Sequence, residues 1–200
     1  MEAIPTAYVV LAEGFEELEA VAPIDLLRRA EVEVTVAVLE APLEVTGRSG
    51  ITVRADAIFD AEAALASSCL ILPGGPGTAT LRAHEGLLEV VRQRHAGRKL
   101  TAAICAAPSV LDAAGVLKDH QFTAHFTVAH QLSGTLVQFA SAEADEPNET
   151  DCIDVVDDGP VLTSRGAGTA TEFALALIGR LRGNDIARRV AESICAPVPF

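Results

Sequence analysis

The chain has 200 residues, half of them hydrophobic and 22% charged, which is the composition of a globular protein with a sizeable core. Its formal net charge is −13, because 28 acidic residues outnumber 15 basic ones. This charge argues against a nucleic-acid partner and against binding to an anionic membrane surface, since both need clustered lysine and arginine.

Apolar runs alternate with amphipathic stretches along the chain, and no repeat or linker divides it, so we expect one domain over residues 1–200. The predicted strands are Ala7–Ala12, Val32–Leu39, one or two exposed strands in Thr46–Phe59, Cys69–Gly75, Lys99–Ile104 and the start of Pro160–Gly168. The predicted helices are Glu16–Ala30 with a kink at Pro23, Thr78–Gly97, the stretch from Ala106 onward, Thr169–Gly183 with Thr169 as N-cap, and the tail to about Cys195. Strand signals in Leu136–Gly159 surround an acidic, turn-rich insert at Asp145–Thr150.

Strands that alternate with helices predict a mostly parallel sheet with helices on both faces. Ligands bind such sheets beyond the carboxyl ends of the strands. Three loops follow strands here, and we expect them to lie along one edge: Glu13–Glu19, Gly74–Thr78 and Cys105–Pro108.

The N-terminal stretch 1–13 has no basic segment before a long apolar core, and no apolar run reaches the ~18 residues of a membrane span. We therefore expect a cytoplasmic protein with reduced thiols. No cysteine pair or nearby histidine has the spacing of a disulfide framework or a zinc site, so we expect no metal. The cysteines are Cys69, Cys105, Cys152 and Cys195.

Cys105 lies where the predicted strand ends and the predicted helix begins. The sequence Ala-Ile-Cys-Ala-Ala at 103–107 has the small-x-nucleophile-x-small form of a nucleophile elbow. A helix that starts directly after the cysteine would favour its thiolate. A buried structural cysteine is the other interpretation.

Other side chains in these loops admit a functional and a structural interpretation. The pair Gly74-Gly75 suits N–H donation to an oxyanion, or is a plain turn. Glu16 and Glu19 would share one face of a helix, and Glu17 would point away from it, so the first two could act together in a site. In the structural interpretation, these carboxylates are solvated and simply stabilise the N-terminus of the helix dipole. A carboxylate facing Cys105 would be protonated and donate a hydrogen bond to sulfur.

Two basic side chains complete the candidate set. His125 lies in an apolar segment predicted as a strand. A histidine there could be a catalytic residue, or it could be a buried core residue whose ring nitrogens are hydrogen-bonded. Arg165, near a strand end, suits a carboxylate or phosphate ligand, or a structural salt bridge.

Four segments together resemble the ThiJ/PfpI superfamily, in the branch of the Parkinsonism-associated protein deglycase and its bacterial relatives. The segments are LAEGFEELEAVAPIDLLRRA, LILPGGPGT, LTAAICAAPSVL and LTSRGAGTATEFALALI. Their order and spacing match over nearly the whole chain. The resemblance implies a flavodoxin-like three-layer sandwich with a nucleophile elbow, a homodimer, and no cofactor.

By position, the resemblance makes Cys105 the reactive nucleophile and Glu19 the acid bonded to it. Gly75 and Ala106 would supply backbone N–H groups, and His125 would line the site. Around the pocket it places four more residues, of which Arg48 would also lie near the dimer interface: Glu16, Gly74, Arg48 and Arg165.

The sequence departs from this branch at Ala107 and Ala167, where glycine and proline are usual, so the pocket walls would differ. Thr46 and Val53 replace cysteines of the human relative, and Cys69, Cys152 and Cys195 acquire no role. The protease branch has a histidine directly after its cysteine, where this chain has Ala106, which weakens a peptidase interpretation.

The resemblance implies a glyoxalase or deglycase that acts on methylglyoxal, glyoxal or their early adducts, with a role in oxidative and carbonyl stress. The alternative is a redox sensor or chaperone that uses the same oxidisable Cys105 without turnover. A small-molecule amidase or peptidase is the least favoured function.

Overall fold

The computed structural model describes residues 4–137 and 153–197. In these ranges the strands are β1 Thr6–Leu11, β2 Glu33–Val38, β3 Glu44–Thr46, β4 Thr52–Arg54, β5 Ala57–Ile58, β6 Cys69–Leu72, β7 Leu100–Ile104, β8 Gln121–Phe122, β9 Thr135–Leu136, β10 Val155–Asp158 and β11 Val161–Ser164. The helices are α1 Glu17–Arg29, α2 Ala61–Ala66, α3 Thr78–Ala83, α4 Glu85–Ala96, α5 Pro108–Ala113, α6 Phe126–Ala129, α7 Ala170–Arg182 and α8 Asn184–Ser193.

A seven-stranded sheet in the order β10-β11-β7-β6-β1-β2-β5 forms the middle layer of the described fold. Its strands are parallel except for β10, which runs antiparallel to β11. Helices α1, α7 and α8 pack on one face, and α2 to α5 pack on the other. The predicted flavodoxin-like sandwich is confirmed.

The central strands are apolar on both sides because both faces of the sheet are covered. All four residues of β6 and all five of β7 are buried. Along β1, Val9 and Leu11 enter the core under α1 and α7, while Tyr8 and Val10 enter the opposite core. The sheet is therefore a rigid platform for the loops at its carboxyl edge.

Two predicted helices differ from the structure. Thr78–Gly97 is not one helix: it breaks at His84, which adopts an extended conformation and accepts the Leu87 N–H on Nδ1 at 3.0 Å, so that its side chain starts α4. The helix after Cys105 begins at Pro108, two residues later than predicted, because Ala106 and Ala107 form a turn.

Two smaller predictions are also wrong. Thr169 precedes α7 but makes no capping bond, since its hydroxyl donates to Gly166 O and contacts Ser164 Oγ instead. His125 lies at the start of α6 and not in a strand. Helix α1 continues through Pro23, and the helical tail, which ends as α8 at Ser193, is confirmed.

The acidic insert at 145–150 and Cys152 lie outside the described residues. Among the residues that are described, no helix has the length and apolarity needed to cross a membrane. The same residues contain no cluster of three or more metal-ligating side chains placed to bind an ion.

A pair of histidines joins the end of α4 to the loop before β8. Nε2 of His95 and Nε2 of His120 are 2.9 Å apart, and Nδ1 of His120 lies 3.0 Å from Oδ2 of Asp158. Asp158 also accepts the Gln121 N–H at 2.8 Å. A hydrogen bond between two ring nitrogens needs one of them to be unprotonated, so this contact is incompatible with two imidazolium rings.

Acidification is therefore expected to destabilise the fold through His95. Burial, helped by His120 and Arg98 and opposed by Asp119, lowers the pKa of His95 below its ordinary value near 6.5. The unfolded chain then takes up this proton at a higher pH than the native one, so stability falls as the pH drops below about 6.5. Urea unfolding between pH 7.5 and 5 measures how the free energy of unfolding changes with pH. His95→Gln should make this dependence weaker, and the exposed control His130→Gln should not. An unchanged pH dependence in His95→Gln would contradict the role of His95.

Candidate active site

Three loops meet at the carboxyl edge of the sheet, as predicted. The Glu16 N–H donates to Gly74 O at 3.0 Å, and the Gly77 N–H donates to Gly14 O at 3.2 Å. The loop after β7 joins them through Cys105, which contacts the carboxyl group of Glu19. The sequence thus correctly identified where distant segments converge.

Cys105 has the backbone of a nucleophile elbow. Its φ is +65°, a left-handed conformation that costs energy for a residue with a Cβ and persists only where surrounding contacts hold it. The Cys105 N–H donates to Ser164 O and its carbonyl accepts the His125 N–H, both at 2.8 Å. The side chain is half-buried, so the thiol is accessible.

Glu19 is fully buried beside this thiol. Its Oε2 accepts the Gly74 N–H at 2.9 Å. Its Oε1 receives no hydrogen bond of normal geometry within residues 4–137 and 153–197, which leaves the Cys105 thiol as its polar neighbour. The solvated interpretation of this glutamate is therefore wrong.

Burial is the main cause that raises the pKa of Glu19 to about 7, although contact with Cys105 and the Gly74 N–H act to lower it. Burial and the adjacent Glu19 carboxylate likewise raise the pKa of the Cys105 thiol, while the backbone N–H groups of Ala106 and Gly75 lower it. Ionising both groups would place two negative charges side by side. The pair therefore holds one proton around neutral pH, and its titration belongs to both residues.

The glycine pair allows this close approach. A Cβ on Gly74 would lie 2.5 Å from Glu19 Oε2 and 2.7 Å from the Cys105 Cβ. Gly75 has a φ of +88°, and a Cβ there would lie 2.5 Å from Gly14 O. The N–H groups of Gly75 and Ala106 interact with the sulfur and lower the pKa of its thiol, so they favour the thiolate.

The structure gives Glu16 and His125 supporting positions. Glu16 is the N-cap of α1, where its Oε2 accepts the Glu19 N–H at 2.9 Å, and its charge raises the pKa of Glu19. The ring of His125 lies 4.3 Å from that of Phe126, and its Nδ1 is 2.9 Å from the Thr127 hydroxyl. Burial, with Arg48 nearby, lowers the pKa of His125.

The two arginines differ. Arg48 lies in the turn between β3 and β4, and its charge acts on both Glu19 and His125. Arg165 follows β11, and its Nε donates to Asp154 Oδ1 at 2.7 Å, so it forms the salt bridge that the sequence left as an alternative.

Sequence reasoning missed Glu17, which is 6% exposed although first-turn carboxylates are usually solvated. Ser164 was also missed, and its contribution is a backbone carbonyl that no side-chain pattern encodes.

The fold and site define a flavodoxin-like α/β protein with a cysteine elbow. Residues 5–180 match the model of the DJ-1/PfpI family. The chain therefore belongs to the DJ-1/PfpI family.

The chain is similar to the dj-1beta protein of Drosophila melanogaster, with 34% identity over 94% of this chain and 96% of that protein. The crystal structure of DJ-1beta superposes with a TM-score of 0.83 at 31% identity, covering 98% of this chain and 100% of that one. A Toxoplasma gondii DJ-1 structure, described as oxidized, has a TM-score of 0.81 at 32% identity and covers 96% and 98% of the two chains. A deglycase of Thermococcus kodakarensis is 30% identical over 80% of this chain and 89% of its own length. The chain spans less than half the length of two Arabidopsis thaliana relatives that it matches.

Proposed function

We propose that this protein is a cysteine-dependent, cofactor-independent glyoxalase or deglycase that acts on methylglyoxal, glyoxal or their early adducts. One observation carries the proposal: a strained, accessible cysteine lies between a fully buried carboxyl group and two backbone N–H donors. This set offers a nucleophile, a proton carrier and an oxyanion hole. The similarity to a deglycase-named relative supports the same class of reaction.

In the proposed reaction, the Cys105 thiolate adds to the aldehyde carbon of methylglyoxal. The new C–S bond leaves an oxyanion, which the N–H groups of Gly75 and Ala106 hold until it takes the proton of Glu19. The Glu19 carboxylate then removes the proton on the former aldehyde carbon and returns it to the adjacent carbon, while the hydroxyl proton moves to the ketone oxygen. The product of this step is a thioester of lactate on Cys105.

Water then hydrolyses the thioester, releasing lactate and the thiol. The sum is methylglyoxal plus water giving lactate, with no net oxidation or reduction and no co-reactant other than water. A pKa of about 7 suits Glu19 to this work, since a proton carrier is most effective when its pKa is close to the working pH.

Lactate formation from methylglyoxal in the absence of glutathione tests the proposal. We expect the wild type to form many equivalents of lactate per protein chain and Cys105→Ala to form none above the uncatalysed rate. Equal rates in the two proteins would exclude Cys105 as the nucleophile.

The alternative function is a redox sensor or chaperone that uses the same thiol. It is favoured by the buried carboxyl group beside the sulfur, which in its protonated form can hydrogen-bond to the oxygens of a sulfinate. Cys69 is a built-in comparison, because its side chain is fully buried whereas that of Cys105 is half-buried. Mild peroxide should add two oxygens at Cys105 and leave Cys69 untouched, as measured by intact mass and peptide mapping. Indiscriminate oxidation would exclude this alternative.

We also propose that a second copy of the chain is a partner. Leu18 and Val21 on α1 are 60% and 45% exposed, and Ile51, whose backbone lies next to α1, is 56% exposed. Apolar side chains grouped in this way are typical of an interface. Light scattering should show a dimer that Val21→Asp dissociates; a monomeric wild type would contradict the proposal.

A further inference from the structure

The strained backbone of Cys105 is held by two separate segments of the chain. Its N–H donates to Ser164 O at the end of β11, and its carbonyl accepts the His125 N–H at the start of α6, both at 2.8 Å. A residue with a φ of +65° keeps that conformation only while such contacts persist. The position of the sulfur therefore depends on how firmly these two segments are held relative to each other.

Thr163 joins these two segments. It directly precedes Ser164 in β11, and its Oγ1 accepts the Thr123 N–H at 2.9 Å. Thr123 lies two residues before His125 in the other segment. Both threonines are fully buried, so the Thr123 N–H is shielded from solvent and depends on this acceptor.

Loss of the Thr163 hydroxyl would act on Cys105 through this connection. A buried N–H without an acceptor is costly, so the segment that carries Thr123 would shift to pair it elsewhere. The carbonyl of Cys105 would then lose its bond to the start of α6, and the strained φ would relax. The sulfur would move away from the N–H groups of Gly75 and Ala106, which favour the thiolate.

We propose that Thr163 is a positioning residue for the Cys105 elbow. Its hydroxyl links the two segments that hold the backbone of Cys105 and so keeps the sulfur against the N–H groups of Gly75 and Ala106. The proposal deepens the proposed function by assigning a further residue to the same site, and it rests on Cys105 being the reactive group there. Thr163 acts through the backbone of its neighbours, so it is not a catalytic residue.

The pH profile of Cys105 alkylation by iodoacetamide in Thr163→Val, resolved by peptide mass spectrometry, tests this role. Valine has nearly the shape of threonine but no oxygen to accept the Thr123 N–H. We expect the alkylation rate at pH 6 to fall roughly tenfold, because a thiol that has left its N–H donors is less often ionised at this pH. At pH 9.5 the fall should shrink to about twofold or less, because the thiolate then predominates in both proteins.

Thr123→Val is the matched control. Thr123 Oγ1 makes no hydrogen bond in the described part of the chain, so this variant loses an equally buried hydroxyl but keeps the N–H that Thr163 accepts. Its alkylation profile should match that of the wild type. Thr163→Ser, which keeps the accepting oxygen, should retain most of the rate at pH 6. Should Thr163→Val fail to fold, as judged by urea unfolding, Thr163→Ala and Thr123→Ala replace the valine pair with the same expectations.

These substitutions leave every charged side chain near the sulfur unchanged, so a difference between the variants reports on geometry. The titratable groups around the sulfur are Glu19 and Glu16 at the start of α1, Arg48 in the turn between β3 and β4, and His125 at the start of α6.

Three results would overturn the proposal: an unchanged profile in Thr163→Val, an equal fall in Thr123→Val, or no recovery in Thr163→Ser. The outcome is separate from that of the glyoxalase proposal, because alkylation needs no turnover. The expected profiles in a protein that forms no lactate would support the role of Thr163 and refute the glyoxalase reaction. Failure of Cys105 to react with iodoacetamide in the wild type would overturn both.

Discussion

Replacing Glu19 with glutamine is expected to lower lactate formation from methylglyoxal by roughly a hundredfold or more, the usual contribution of a positioned acid–base group. Glutamine has nearly the same volume and can still accept the Gly74 N–H on its amide oxygen, so the fold and the elbow should persist. The glutamine amide cannot, however, carry a proton from one carbon of the substrate to the next.

The measurement is the initial rate of lactate formation by wild type and Glu19→Gln, with the urea unfolding midpoint as a check on folding. Iodoacetamide labelling of Cys105 is the internal control, because an intact thiol should still react. Equal lactate rates in the two proteins would refute the acid–base role of Glu19.

Replacing Arg94 with methionine is expected to lower the free energy of unfolding by about 3–5 kcal/mol, because it leaves several buried carbonyl groups without their hydrogen-bond donor. Arg94 is fully buried. Its guanidinium donates to the carbonyls of Ala64, Ser67 and Leu100 at 2.6–2.9 Å. These carbonyls lie at the end of α2, in the chain after it and in β7, so the side chain joins three segments.

Arg92→Met is the matched control, because Arg92 is partly exposed and pairs with Glu85 and Glu89 on the surface. Its loss should change stability by no more than about 0.5 kcal/mol. Urea unfolding of the two variants and the wild type provides the comparison. A similar midpoint for both variants would contradict the structural role of Arg94.

Patterns of local chemistry predicted the sheet and the place of the site. Buried apolar runs such as β6 and β7 identify strands of a covered parallel sheet. Their carboxyl ends then bring Glu19, Gly75 and Cys105 together, because parallel strands end at one edge. The small residues beside Cys105 indicated the elbow, and its φ of +65° confirms that backbone.

Features that depend on contacts between distant segments were beyond local reasoning. The ring of His84 accepts a hydrogen bond and breaks a segment whose periodicity is otherwise helical. Arg94 occurs in an amphipathic helix like any surface arginine, and only its carbonyl partners explain its burial. Glu17 becomes a buried acceptor because a turn more than thirty residues further on presents its N–H groups.

The central claim is that, in the proposed reaction, the single proton of the buried pair resides on Glu19 and Cys105 is the thiolate. The N–H groups of Ala106 and Gly75 favour this thiolate, although burial and the Glu19 carboxylate raise the pKa of the thiol. It is tested most directly by the pH dependence of Cys105 alkylation by iodoacetamide in wild type and Glu19→Gln. If Glu19 is the protonated partner, a neutral glutamine replaces a neutral acid. The two proteins should then react at neutral pH at rates within about threefold of each other. If the carboxylate instead carries the charge, the wild-type thiol stays protonated, and Glu19→Gln would react at least about tenfold faster at neutral pH, which would contradict the account.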